Sequence, residues 1–427
     1  MTNGSSGAKM PLIGGHYYKI PSKGGRDKHS DGESVVEGGQ EMASEEQGPN
    51  EEKDDLNFVD VPDIPLPTAK RDAEAVEDEC RGAFNWAFVG AGQAGARLAE
   101  AFYALGYRRV CAINTTGQDL ASIAIPDENK YVMDIGESGA GKNPEKGRQA
   151  VKQYYEDVYD LMRRSFGTNF ERIITLAGAG GGTGGGCVDI LNDIARDIAK
   201  SFKLGDEGEP AVGTLVSMPM TTEGQRVNAN AHVVLDSLFS QAESGTLSPL
   251  IVEDNELIGK IYPGLAVSKF WPVANQSISS LFHLFNSIAV QDSDFITFDQ
   301  ADLKDVLGSG VVTFGACPIV RHEKATDISF SIRDNLRQNI LVGDLDLKCA
   351  SVAGCVFIGN ENVLNEIPQS NLEHGFGMLS RIMQRDSTVH RGIYRGKKPG
   401  LVVYTILGGL ELPATRMLEI ARIGRVS

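Results

Sequence analysis

Gly178-Ala-Gly-Gly-Gly-Thr-Gly-Gly-Gly186 holds seven glycines in nine residues, and Thr183 is its one polar side chain. The run follows RIITLAG (172–178), which reads as a core strand. It precedes VDILNDIARDIAKSF (188–202), whose apolar spacing reads as an amphipathic helix. Flexible linkers do not sit between such elements. Residues without side chains let backbone N–H groups turn inward and approach a phosphate, and the helix start adds its positive dipole end. The run is therefore a candidate phosphate cradle. No GK[ST] follows it, so it is not a Walker loop.

Upstream, Trp86–Val89 reads as a short strand, and Gly90-Ala-Gly92-Gln93-Ala94-Gly95 then opens the helix ARLAEAFYALG. GxGxxG between strand and helix also suits a dinucleotide, which raises the alternative of an NAD-dependent oxidoreductase. That alternative needs an acid at the end of the second strand, about 20 residues on, to hold the ribose hydroxyls. Asn114 stands there, followed by Thr115 and Thr116, and the alternative loses its support. Strands RRVCAIN (108–114) and KYVMDI (130–135) come next, then one long helix from about Pro144 to Phe166. AVGTLVSMP (211–219) is a further strand. Alternating strands and helices predict a Rossmann-like α/β fold, a parallel sheet with helices on both faces. From Pro272 to Val290 apolar residues lie almost all round a helix, with Pro272 fitting its first turn. Such a helix suits a buried connecting shaft. VVTFGACPIV (311–320), CASVAGCVFIG (349–359) and LVVYTIL (401–407) read as strands of a smaller α+β domain.

From about Phe84 to about Leu412 these motifs resemble the tubulin/FtsZ GTPase family. GGGTGGG (180–186) is similar to the family's glycine signature, which implies Gly180, Gly181, Gly182, Thr183 and Gly184 around GTP or GDP phosphates. GQAG, with Gly92, Gln93 and Ala94, looks closer to tubulins and the archaeal CetZ group than to bacterial FtsZ. AINTTGQDL (112–120) resembles the second nucleotide loop, which implies Asn114 at the nucleotide and Gln118 near Mg²⁺. GAGKNPEKG (139–147) resembles the loop over the terminal phosphate, with Ala140, Gly141 and Asn143. MPMTTEG (218–224) implies Glu223 on the ribose hydroxyls. Arg226 stands three residues beyond it, where FtsZ has its arginine at four. FWPVAN (270–275) resembles the base-binding segment, with Trp271 stacking on guanine and Asn275 pairing with its edge through an amide that both donates and accepts.

Thr297-Phe-Asp299-Gln-Ala-Asp302 matches the family's activating loop, with Thr297 where the family has asparagine. The resemblance implies that Asp299 and Asp302 enter the nucleotide pocket of the next subunit and orient the attacking water. A helix-capping role for these aspartates is the alternative. The implied function is a filament-forming GTPase that associates head to tail with itself in the cytoplasm. The other candidate is a non-polymerising GTP-binding regulator of the same fold, against which the retained acids argue.

The bulk numbers agree with an ordinary globular chain of 427 residues, 41% hydrophobic and 23% charged. The net charge of −16 is concentrated at the start, where residues 1–80 carry 18 acids and 8 bases. This Gly/Ser/Glu/Asp/Pro-rich segment is expected to be a disordered acidic tail. Its apolar islands, Met10–Ile20 and Phe58–Leu66, read either as docking peptides for an adaptor or as plain tail. No basic stripe supports nucleic-acid binding. No apolar run nears the roughly 20 residues of a transmembrane helix. The six scattered cysteines read as reduced thiols. Expected units are the tail (1–80), a GTP-binding domain (81–262), a connecting helix (263–295), and an activation loop with C-terminal domain (296–427).

Overall fold

The computed structural model describes residues 80–136, 138–205, 210–336, 345–384 and 386–425. Apart from Cys80, the expected tail lies outside the described residues. The strands are β1 (Trp86–Ala91), β2 (Val110–Asn114), β3 (Lys130–Val132), β4 (Arg172–Gly178), β5 (Val212–Met218) and β6 (Leu250–Asp254), then β7 (Val311–Ile319), β8 (Val352–Gly359), β9 (Thr388–Arg395) and β10 (Leu401–Leu410). They form one sheet in the order β3-β2-β1-β4-β5-β6-β7-β10-β8-β9. Strands β1 to β6 pair in parallel, whereas β10 runs antiparallel to both β7 and β8. The two runs of strands meet through a short parallel ladder, Leu250 with Val311 and Ile251 with Val312. The connecting helix thus lies against one continuous sheet rather than between two.

Strands buried on both faces need apolar side chains of both parities, and β1 shows the division. Ala87 and Val89 join the layer of the Tyr155–Phe166 and Gly182–Phe202 helices. Trp86 and Phe88 join the layer of the Gly92–Ala104 and Val267–Ile288 helices. There the Phe88 and Phe102 rings stack at 4.1 Å, and Phe282 meets both edge-on. From Ser277 onward the Val267–Ile288 helix is buried except at His283, as its all-round apolar pattern predicts. Asn286 ties it to the sheet, accepting from the Phe84 N–H and the Trp86 indole N–H, each at 3.0 Å.

Two expected helices need correction. The segment 144–166 is two helices, Pro144–Gln153 and Tyr155–Phe166, parted at Tyr154 with φ −104° and ψ 27°. The connecting helix begins at Val267, so Pro272 lies inside it. Its missing N–H forfeits one bond near the helix start, a loss the burial of the later turns outweighs. Strands β6 and β9 carry charged residues in LIVED and TVHRGIYR, which hid them from a search for apolar runs.

Candidate functional site

A cavity of about 420 Å³ opens over the carboxyl ends of β1, β2, β4, β5 and β6, a size suited to a small-molecule ligand. Strand order reverses between β1 and β4, and in open α/β sheets ligands bind in the crevice at such a switch point. Ala91 ends β1 and Gly178 ends β4, and both line the cavity.

Two helices begin there, Gly92–Ala104 and Gly182–Phe202. Neither has a side-chain cap or an acid in its first turn. Apart from the Gly182 N–H, which the Gly141 carbonyl takes, their first N–H groups are therefore left for a ligand, and the dipoles make that ligand an anion. The two starts touch, since a Cβ on Gly92 would sit 2.9 Å from the Gly184 nitrogen. Gly92 also has φ +70°, which a side chain would strain. Thr115 and Thr183 hydroxyls lie 2.8 Å apart across the cleft, and the Ala140 N–H donates to Thr115 Oγ1 at 2.9 Å. The Gly182 N–H donates to the Gly141 carbonyl at 3.1 Å, joining the third loop to the cradle.

Two glycines of the run also sit where neighbouring chain packs closely. A Cβ on Gly182 would meet the Gly141 carbonyl oxygen at 2.2 Å, and one on Gly186 would meet the Pro144 carbonyl oxygen at 2.1 Å. Gly→Ala in a helix ordinarily stabilises by about 1 kcal/mol. Here the overpacking cost of about 1–3 kcal/mol outweighs it. Gly186→Ala is thus expected to lower the urea midpoint, and a raised midpoint would contradict the packing reading.

The cavity brings together Gly92, Gln93, Ala94, Asn114, Ala140 and Gly141. It also gathers Gly180, Gly181, Gly182, Thr183 and Gly184, together with Glu223, Trp271 and Asn275. Gln118, Asn143 and Arg226 are not among the lining residues. Gln118 and Arg226 are exposed, and the Asn143 side chain caps its helix by accepting from the Glu145 N–H at 3.1 Å. Beside Gln118, Asp119 does line the cavity. It accepts from Gln93 Nε2 at 3.3 Å, Asn114 Nδ2 at 2.8 Å and Thr116 Oγ1 at 3.1 Å.

Asn255 and Glu253, at the end of β6, also line the cavity and were missed with that strand. Glu253 is 1% exposed, and its Oε1 has no hydrogen-bond partner among the described residues. Burial, with Asp254 beside it, pushes its carboxyl up to about 8. Asp254 points to the opposite layer and is paired. Arg416 donates through Nε to Asp254 Oδ2 at 3.0 Å and through Nη2 to the Pro219 carbonyl at 2.6 Å. The C-terminal Ala414–Gly424 helix is thereby fastened to the loop that carries Glu223.

Asp299 and Asp302 stand outside the cavity, at the start of the Gln300–Leu307 helix. Asp299 caps it, accepting from the Ala301 and Asp302 N–H groups at 2.8 and 3.0 Å, and the Asp299 N–H donates to Asp302 Oδ2 at 3.1 Å. This reciprocal box gives Asp299 a structural role at the helix start. Asp302 has a further partner that sequence reasoning missed. His390, on β9, lies with Nδ1 2.6 Å from Asp302 Oδ1 and Nε2 2.8 Å from Asp305 Oδ2. All six cysteines are free thiols, and no helix among the described residues is long and apolar enough to cross a membrane.

Comparison with known proteins agrees with this geometry. Residues 85–263 match the Tubulin/FtsZ family, GTPase domain. The cell division protein FtsZ of Haloferax mediterranei is 25% identical over 70% of this chain and 72% of its own length. The tubulin-like protein CetZ of Thermococcus kodakarensis is 29% identical over 56% of this chain and 58% of its own length. A GTPγS-form protofilament of TubZ from Bacillus thuringiensis serovar israelensis shares the fold, with TM-score 0.70 and 21% identity over 81% of this chain and 92% of that one. The ten-stranded α/β architecture and the cradle between β1 and β4 agree with these matches: residues 85–263 carry a GTPase domain of the Tubulin/FtsZ family, and the chain shares the fold of the TubZ protofilament subunit.

Proposed function

We propose that the chain is a self-assembling GTPase of the cytoplasm, forming head-to-tail filaments in which each subunit completes the hydrolytic site of its neighbour. The observation that carries this reading is a separation. Two uncapped helix starts build an anion site at one place, while Asp299 and Asp302 stand outside that cavity. Joining such different surfaces makes a heterologous contact, which propagates as an open filament unless rotation closes it. The TubZ relative solved as a protofilament supports the same association.

In this reading the glycine-loop N–H groups hold the phosphates and Glu223 holds the ribose. Trp271, Asn255 and Asn275 hold the base. Magnesium fits a site built from phosphate oxygens, water and one or two carboxylates, and Asp119 is the cavity carboxylate beside the phosphate loops that would hold it. When bound, the ion offsets the negative charge that develops on the phosphates. Asp302 of the next subunit orients the attacking water, with His390 fixing its side chain and Asp299 fixing the loop.

The first test is chemical. Protein purified from cells and denatured is expected to release GDP or GTP into the supernatant, read by chromatography. NAD or ADP as the main species would sink the proposal.

A further inference from the structure

We infer that Glu253 reads the edge of the nucleotide base, accepting the N1–H and N2–H donors that distinguish guanine. This rests on the guanine-nucleotide reading above and adds the residue that makes it selective.

Along β6, Ile251 faces the layer of the Val267–Ile288 helix, and by strand alternation Glu253 faces the same way while Asp254 faces the other. In register Glu253 lies beside Ser217 of β5, and it lines the same cavity as Asn255, Trp271 and Asn275. A carboxyl group buried without a partner is costly, and buried acids are retained where something satisfies them. Asp254 is nearly as buried and has Arg416, whereas the Glu253 Oε1 has none among the described residues. On this inference the partner is supplied by a ligand in the cavity that Glu253 lines.

That partner cannot be a phosphate, which a carboxylate repels. Nor is it a caged metal ion, since no cluster of three or more His, Cys, Asp or Glu side chains able to hold one occurs among the described residues. Adjacent N–H donors remain. Guanine's edge has two of them side by side, matching the two oxygens of one carboxylate. Adenine presents one donor and an acceptor, whose lone pair would face another. Asn275 alone leaves the choice open, because an amide can flip.

The test compares equilibrium binding of GTP, inosine triphosphate, xanthosine triphosphate and ATP to the full chain and to Glu253→Gln. The wild type is expected to bind GTP about 10–100-fold tighter than inosine triphosphate, which lacks the N2 donor, as for one lost bond to a charged acceptor. Glu253→Gln should weaken GTP by a similar factor and strengthen xanthosine triphosphate about tenfold, because its amide N–H₂ meets the oxygen at C2. A variant that keeps the wild-type order of preference overturns the inference. So does a wild type that binds GTP and inosine triphosphate equally, a result needing no variant and leaving the proposed function standing. If none of the four binds the wild type, the proposed function itself has failed.

Discussion

Asp302→Ala is expected to lower GTP turnover by about 10²–10⁴, the range for losing a positioned acid–base group, while leaving GTP affinity unchanged. The two effects separate because Asp302 does not line its own chain's cavity. On the proposed mechanism, filaments of the variant should persist, since the nucleotide they hold is no longer hydrolysed. Asp302 also closes the capping box and holds His390, so the alanine variant loses some local order as well. Asp302→Asn is the better-matched change. Its amide oxygen can still accept from the Asp299 N–H, yet it carries no charge to orient water, and turnover should fall nearly as far. Asp299→Ala removes a cap worth about 1 kcal/mol and should cost chiefly stability. Phosphate release and sedimentation on the three variants check this ordering, and wild-type turnover in Asp302→Asn would remove Asp302 from the mechanism.

Arg416→Met should cost about 3–5 kcal/mol of unfolding free energy, as for one partner taken from a buried ion pair. Arg416 and Asp254 side chains are 6% and 4% exposed, and the guanidinium also satisfies the Pro219 carbonyl. Burial raises the Asp254 carboxyl and Arg416 opposes that rise, so removing Arg416 lifts it further. An acid raised in the folded state holds its proton more tightly there than in the unfolded chain. Stability then falls as pH climbs above the unfolded value, which is 3.8 for this group. The deficit of Arg416→Met should accordingly be smaller near about pH 4 than near about pH 7, read by urea denaturation at both. A deficit that does not change with pH would point to lost packing instead.

The glycine run was legible because it is local. A strand, a side-chain-free turn and a helix succeed one another within about thirty residues, as such units do, and no distant residue is needed to see them. What stayed hidden depends on placement across the sheet. LIVED ends in two acids whose fates differ by strand parity, one into the cavity and one onto Arg416, and nothing in the five letters says which. TVHRGIYR looks too polar for a strand until β8 pairs with it, and only then does His390 come beside Asp302. The resemblance pointed to Gln118 for the metal, yet the turn of the short Gly117–Ala121 helix brings Asp119 to the cavity instead. From sequence alone the run reads as room for a phosphate. Gly182 and Gly186 are in addition places where neighbouring chain passes too close for a Cβ, and Gly182 lines the cavity as well.

The claim that one subunit's acids complete another's site is tested most directly by steady-state phosphate release from wild-type protein across a dilution series, paired with sedimentation at each concentration. Activity per subunit is expected to be near zero in dilute protein and to rise steeply where filaments begin to sediment, because an isolated subunit holds GTP without Asp302. Activity per subunit that stays level from dilute to concentrated protein would mean that each chain carries a whole site, and the shared-site account would be wrong.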